Sequence, residues 1–460
     1  MTTLTSEQQL TRFAAGLTIE ALPAAVVSKL KELVLDSLGI ALAGSTAPGV
    51  DAIVTPIREW GGRPDSSVIG HGVRAPPPLV ALANGTMGTA RDFDDTLDDA
   101  MLHTQPSVLY ATLAIGEARR CTGAEALAAL AAGTELQCRM GHARLRPQQF
   151  LPTGTTGGIA AAAAAARIMG LPAERLLDAC GIAYSQCAAN VQPLREGATV
   201  KRFHAGFAAR TGTLSAVLAE NGLSGAHRFL EGEFGYYRLY ERGDYVAAPL
   251  TEGLGERWQL LELSLKPYPS GRDNHGAVEA ALELRARHRL TVDDIERIDV
   301  WLPPNAFGIS GHPWGSFGGH PLVEAIISAS YSVAVALAKG RLLLDDMTPE
   351  AVADPVVSGL ASKVSCHEIT EDVDAITFIP QAVEVVTRDG RRHRAEVTDH
   401  LLGHPNRPLS RERILDKFHA CLRFAARPVT DDVAQQLIDT IDRLETLPDV
   451  GVIPRLASLA

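Results

Sequence analysis

The stretch IAAAAAAARIMG, residues 159–170, decides the fold class. Alanine is the best helix former, and seven in a row with no charge until Arg167 leave a helix without a solvent-facing stripe. Small side chains let neighbouring helices approach closely, so this segment is expected to be a central, buried helix. Working outward, the first 265 residues read as helix after helix. Thr5 and Ser6 stand as caps before a periodic segment, and Leu22-Pro23 opens a helix that stops at Gly44. Thr122-Gly-Ala-Glu and Leu171-Pro-Ala-Glu each start another.

The texture changes after Lys266. Ile298, Val300 and Leu302 alternate with Asp299 and Trp301, the pattern of a half-buried strand. Segments 381–387 and 391–397 flank Asp389-Gly390, a strong hairpin signal. Helical stretches are expected near 322–339 and 348–363, and again at 410–424 and 430–447. The expected architecture is mainly α with an inserted α+β domain. Residues 1–265 and 401–460 would form a helical bundle domain from both chain ends, and 266–400 a smaller α+β lid. A cleft between two such units is the usual place for a small-molecule site.

Composition narrows the function. Lys+Arg 43 against Asp+Glu 54 gives a formal charge of −11, and no basic block stands against it, so no nucleic-acid partner is expected. A cationic site for an anionic metabolite must then be local. The six cysteines form no CxxC pair and most lie in apolar stretches, which reads as reduced core cysteine and a cytoplasmic protein. No apolar run reaches membrane length, so no membrane partner is expected either. The chain has no GxGxxG after a strand, P-loop, GxSxG, HExxH or Cys/His zinc spacing. Nucleotide, acyl-serine and zinc chemistry are therefore not expected, and no cofactor is.

Three segments carry the candidate chemistry. In DFDDTLDDAMLH, 92–103, a helix of about 100° per residue places Asp92, Asp95, Thr96, Asp99 and His103 on one face. Acids so close raise one another's pKa values, which suits acid/base work. The same row also reads as a solvated acidic cap, or as the Asp-rich Mg²⁺ site of a diphosphate enzyme through Asp94, Asp95, Asp98 and Asp99. In KRFHAGFAAR, 201–210, Lys201 and His204 lie on the small-residue side at a helix N-terminus, a natural carboxylate pocket. In KPYPSGRDNH, 266–275, a Pro- and Gly-rich boundary loop carries Lys266, Tyr268, Arg272 and His275, groups suited to an anion.

Taken in order, these segments resemble the MmgE/PrpD family, which includes 2-methylcitrate dehydratase, cis-aconitate decarboxylase and iminodisuccinate epimerase. The stretches PTGTTGGIAAAAAAARIMGL at 152–171, YSVAVALAKG at 331–340 and KFHACL at 417–422 also fit, so the likeness runs nearly end to end. It implies a helical domain with an α+β lid, a homodimer, and metal-free chemistry in the cleft. It also implies that Asp92, His103, Lys201 and Tyr331 are catalytic and that Thr96, His204 and Lys266 hold a small polycarboxylate, to which the cationic boundary loop adds Arg272 and His275. The chain departs from the pattern at Leu151 and Gly271, where relatives often carry polar side chains, and at Thr104-Gln105 after His103. The expected activity is that of a dehydratase-type lyase abstracting a proton next to a carboxylate of a di- or tricarboxylic acid. His103 would be the base or acid, poised by Asp92, with Tyr331 or His204 as its partner, while Lys201, Lys266 and Arg272 grip carboxylates. Epimerisation of an iminodisuccinate-like acid, a cis-aconitate-type decarboxylation and a catalytically silent binding role stay open beside it.

Overall fold

The computed structural model describes residues 4–145, 150–370, 373 and 376–459. The alanine-rich segment forms the helix Pro152–Ile168, with every residue from Gly154 to Ala166 buried. Around it stand the helices Gln105–Arg119, Gly123–His142, Ala173–Tyr184 and His204–Glu220. Their approach is set by missing side chains. A methyl group on Gly212 would lie 2.4 Å from the Cβ of Ala161 and 2.5 Å from the backbone nitrogen of Ala162. The small-residue side of His204–Glu220 therefore faces inward, with Ala208, Gly212, Ser215 and Ala219 buried, while Phe207 is exposed.

Local signals start the helices as their chemistry dictates. Thr5 caps Ser6–Gly16 in a capping box with Gln8, and Thr122 caps Gly123–His142 in another with Glu125. The C-terminal helices Arg411–Leu422 and Asp431–Asp442 join the same core, through Ile414 and Phe418 in the first and Leu437 and Ile441 in the second.

A second core is built by residues from Tyr268 to Ala395, with Leu194 joining it. Its four-stranded sheet runs in the order Val364–Glu368, Ile295–Leu302, Gln381–Thr387, Arg392–Val397. The Ile295–Leu302 strand is parallel to the first and antiparallel to the third, so Ile298 lies between Val364 and Val385. The hairpin turns at Asp389-Gly390, where Gly390 takes φ +84, a conformation that costs glycine nothing. Helices His275–His288 and Ala329–Lys339 pack together beside the sheet. Among the described residues no single helix is long and apolar enough to cross a membrane.

Two expectations fail. Segment 92–103 is not a helix: Asp92 and Met101 both take φ +51, Thr96–Leu97 pairs as a short strand with Leu263–Ser264, and Asp98–Ala100 is a 3₁₀ turn. Helix begins only at Gln105, and the reason is Asp95. Its carboxylate accepts from the Thr104 and Gln105 backbone N–H groups at 2.9 and 3.1 Å and from the Thr104 hydroxyl at 2.7 Å. The acid thus caps the next helix instead of lining a face of its own.

Tyr331 is also misplaced by the reading. Ser328 caps its helix through the Tyr331 N–H (3.1 Å), and the tyrosine ring enters the second core. There it stacks on Trp314 and donates its hydroxyl to the Asp346 carbonyl at 2.7 Å.

Gly212→Ala tests the central helix crossing. Overpacking at a backbone contact should lower the unfolding free energy by about 1–3 kcal/mol. Urea denaturation followed by circular dichroism measures it, and a loss below about 0.5 kcal/mol would mean that the helices do not meet there.

Candidate active site

The 92–103 loop meets the boundary segment through its strand pairing. Thr96 opposite Ser264 brings Lys266, two residues on, beneath Asp92. Lys266, fully buried, donates to the Asp92 carboxylate at 2.7 Å and to its carbonyl at 3.0 Å. Lys201, in the 3₁₀ turn Thr199–Phe203 that leads into the helix His204–Glu220, donates to the other carboxylate oxygen. Burial alone would raise the Asp92 pKa, but the two ammonium groups hold it well below the usual carboxylate range. Burial pulls Lys201 down and Asp92 more than offsets it, so its pKa is raised.

A third lysine supports this arrangement from below. Lys417, on Arg411–Leu422, donates to the Phe93 and Lys266 carbonyls at 2.9 and 3.0 Å and pairs with Asp36 at 2.7 Å. It fastens the C-terminal segment to the backbone on both sides of the Asp92–Lys266 contact.

Above the clamp is a cavity of about 120 Å³. Asp92, Thr96, His103, Lys201, His204 and Arg272 all line it, with Thr153, Asp273 and the apolar Leu151, Ile309, Ile327 and Phe378. The helical core and the second core each contribute walls.

His103 is fixed by its neighbours rather than by Asp92. Its Nδ1 is 2.6 Å from the Asp95 carbonyl, 3.3 Å from the Thr96 hydroxyl and 3.6 Å from an Asp94 carboxylate oxygen. A carbonyl only accepts, so Nδ1 carries the proton and Nε2 of the neutral ring keeps its lone pair. Nε2 has no hydrogen-bond partner among the described residues. The backbone is pinned too, by Thr153 Oγ1 accepting the His103 N–H at 3.0 Å and by Gln137 donating to its carbonyl at 3.1 Å.

Several expected roles are corrected by these contacts. Asp92 does not orient His103; its carboxylate is taken by the two lysines. Lys266 does not line the cavity, because it is sealed behind Asp92. Arg272 lines it, but its guanidinium donates to the Asp98 carboxylate at 2.7 and 3.1 Å and to the Leu402 carbonyl at 2.8 Å, leaving little for a ligand. His275 lies outside the cavity wall, fully buried, with Nδ1 3.3 Å from Arg272 and its ring edge-on to Tyr268. Burial, with Arg272 and Lys266 nearby, holds its pKa well below the histidine norm, so it is a neutral support. Tyr331 is absent from the wall. His204 is present, pushed down to about 4 by burial and by Lys201, and is therefore neutral near pH 7.

The Asp-rich Mg²⁺ reading fails on geometry. Asp95 caps a helix, Asp98 pairs with Arg272, Asp94 is buried beside His103, and Asp99 is exposed, so the four do not converge. Among the described residues Asp99, His142 and Glu262 bring ligand atoms within 4.8 Å of one another, but none of them lines the cavity.

The sequence reading overlooked Asp273. Burial pushes its carboxyl up to about 7, with Asp92 adding and Lys266 and Lys201 opposing. Gly271 makes room for it: a methyl group there would lie 2.5 Å from Asp273 Oδ1. The absent side chain at 271 was the available signal.

Residues 8–248 match the model of the MmgE/PrpD N-terminal domain, and residues 268–443 that of the MmgE/PrpD C-terminal domain. The chain is 28% identical to the cis-aconitate decarboxylase of Mus musculus, over 96% of this chain and 91% of that one. It is 28% identical to the cis-aconitate decarboxylase of Aspergillus terreus, over 97% and 95%. To the 2-methylcitrate dehydratase of Salmonella typhimurium it is 24% identical, over 90% and 89%.

The raised pKa of Asp273 has a consequence for stability. Between pH ~4, the value in the unfolded chain, and about 7 in the folded protein, only the folded state binds this proton. Stability from this group is full below that window and is lost as pH rises through it. Asp273→Asn should remove the decline, so that variant and wild type differ little at pH 4 and diverge by roughly 3–4 kcal/mol in the variant's favour above pH 7. Urea denaturation across this range measures it, and parallel curves would refute the assignment.

Proposed function

The chain belongs to the MmgE/PrpD family and is a lyase of that type, and we propose that its substrate is a small di- or tricarboxylic acid, processed by proton transfer at the carbon next to a carboxylate. The observation that carries this is the 2.6 Å contact between His103 Nδ1 and the Asp95 carbonyl. With Nδ1–H committed to the Asp95 carbonyl, Nε2 offers a lone pair at the cavity wall and serves as the base. Lys201 receives a substrate carboxylate. Although it pairs with Asp92, its side chain is 20% exposed and lines the cavity, unlike that of Lys266. Its ammonium at the cavity wall favours the substrate anion and the enediolate-like charge that develops on proton removal.

Elimination of water needs a second group, an acid for the leaving oxygen. Asp273, with a pKa of about 7, is still largely protonated just below neutrality and lines the same cavity. Thr96 and His204 supply neutral polar contacts. The leading reading is therefore a dehydratase that works through the charges of its own side chains. A second reading, decarboxylation, draws on the cis-aconitate decarboxylases among the relatives and on the apolar wall of Leu151, Ile309, Ile327 and Phe378. A carboxylate pressed against that wall would be poorly solvated and would leave as CO₂ more readily. Paired subunits and a cytoplasmic setting belong to the same proposal.

Incubating a panel of hydroxy and unsaturated tricarboxylates in heavy water, with NMR and CO₂ detection, tests the reading. Wild type should incorporate deuterium next to a carboxylate and release water without CO₂. Release of CO₂ instead selects the decarboxylase. His103→Ala should lower turnover by about 10²–10⁴-fold. Near wild-type turnover in a folded His103→Ala protein would remove His103 from the chemistry.

A further inference from the structure

The small cavity shares part of its wall with a second one. Met101, Leu151, Pro152, Leu194 and Ile309 line both it and a second cavity of about 440 Å³. The size difference matters. Pockets for whole ligands usually measure about 300–1,000 Å³. The inner space is smaller than that and the outer one falls within it.

The two spaces also differ in chemistry. The inner one holds the carboxylates, the lysine and the imidazoles. The outer one is walled by Phe150, Leu151, Val191, Leu194, Ile309 and Ile376, with Gly308 leaving a gap in the helix Pro304–Ser310. Arg144, Arg195 and Arg242 also line it. Arg144 is neutralised by Glu241 at 2.8 Å, and Arg195 donates to the Gly308 carbonyl. Arg242 is exposed, in the left-handed conformation at φ +57 that non-glycine residues rarely adopt. On a chain of formal charge −11, such a group beside the approach to the site draws anions locally.

We infer that the outer cavity is a substrate subsite, and that the preferred substrate is a polycarboxylate bearing an apolar substituent of about four carbons or more, alkyl or aryl. The inference rests on the polycarboxylate reading of the inner cavity and names the class within it. The carboxylates and the reacting carbon occupy the inner space, and the substituent passes between Met101, Leu151 and Ile309 into the outer one. Arg242 draws the anion inward, while the apolar walls select the chain. An unsubstituted six-carbon acid would leave the larger space filled with water.

The test is a substituent series with and without a blocked chamber. A Cβ on Gly308 would have no neighbour closer than 4.0 Å, and Gly308 lines the outer cavity only, so Gly308→Leu narrows it while leaving the wall of the inner site unchanged. Calorimetry would measure the binding of propane-1,2,3-tricarboxylate and its 1-butyl and 1-phenyl derivatives to the full-length protein. Deuterium exchange would be followed on the same compounds. Each buried methylene is worth roughly fourfold in affinity. The butyl derivative should bind wild type at least ~10-fold more tightly than the parent, and Gly308→Leu should abolish that gain while changing the parent by less than about twofold. If Gly308→Leu does not fold, Val191→Phe blocks the chamber from another segment. Equal or weaker binding of the substituted acids, or equal losses for all three in the blocked variant, overturns the inference. Exchange without chain preference overturns the subsite and leaves the proton-transfer reading standing. Chain preference without exchange does the reverse. No binding by any of the three overturns both.

Discussion

One buried carboxylate between two ammonium groups organises this molecule. Asp92 is held by Lys201 from the helical core and by Lys266 from the boundary between the two cores. Taking ions out of water costs several kcal/mol each, and breaking such a pair strands a charge in the interior. The segments carrying these three residues are thereby bound to one another, and the backbone of Asp92 accepts a conformation it would otherwise avoid, at φ +51. Lys417 extends the constraint to the C-terminus by holding the carbonyls of Phe93 and Lys266. The floor of the cavity and the join between the cores are the same set of contacts.

The local parts of the fold were legible in the sequence. Helix caps at Thr5 and Thr122, the alanine-rich central helix and the Asp389-Gly390 hairpin all follow from interactions within a few residues. The acidic loop was not legible in this way. Its spacing satisfies a helical face, but Asp95 reaches nine and ten residues forward to cap Gln105–Arg119, and no periodicity within 92–103 registers that. The boundary loop was read as a row of cations facing a ligand. In the structure Lys266, Arg272 and His275 are spent on Asp92, Asp98 and one another, because at full burial each charge or ring needs a protein partner. Asp273 went unseen for the converse reason: its pKa comes from burial, which the residue string does not display. Four of the segments that carry the family resemblance line the cavity, whereas Tyr331, drawn from another, serves the second core.

The loop that fails to be a helix is the one that turns the imidazole of His103 and commits its Nδ1 proton to a backbone carbonyl. The outer chamber then adds selection by shape and apolar contact to an inner site that selects by charge.

The central claim is that His103 rests as the Nδ1–H tautomer with a free lone pair on Nε2. Two-bond ¹⁵N–¹H correlation spectra of ¹⁵N-histidine-labelled protein, assigned by comparison with His103→Gln, report the tautomer directly. A protonated Nδ1 and an unprotonated Nε2 at pH 7.5 are the predicted result. A proton on Nε2 with Nδ1 bare would contradict the account.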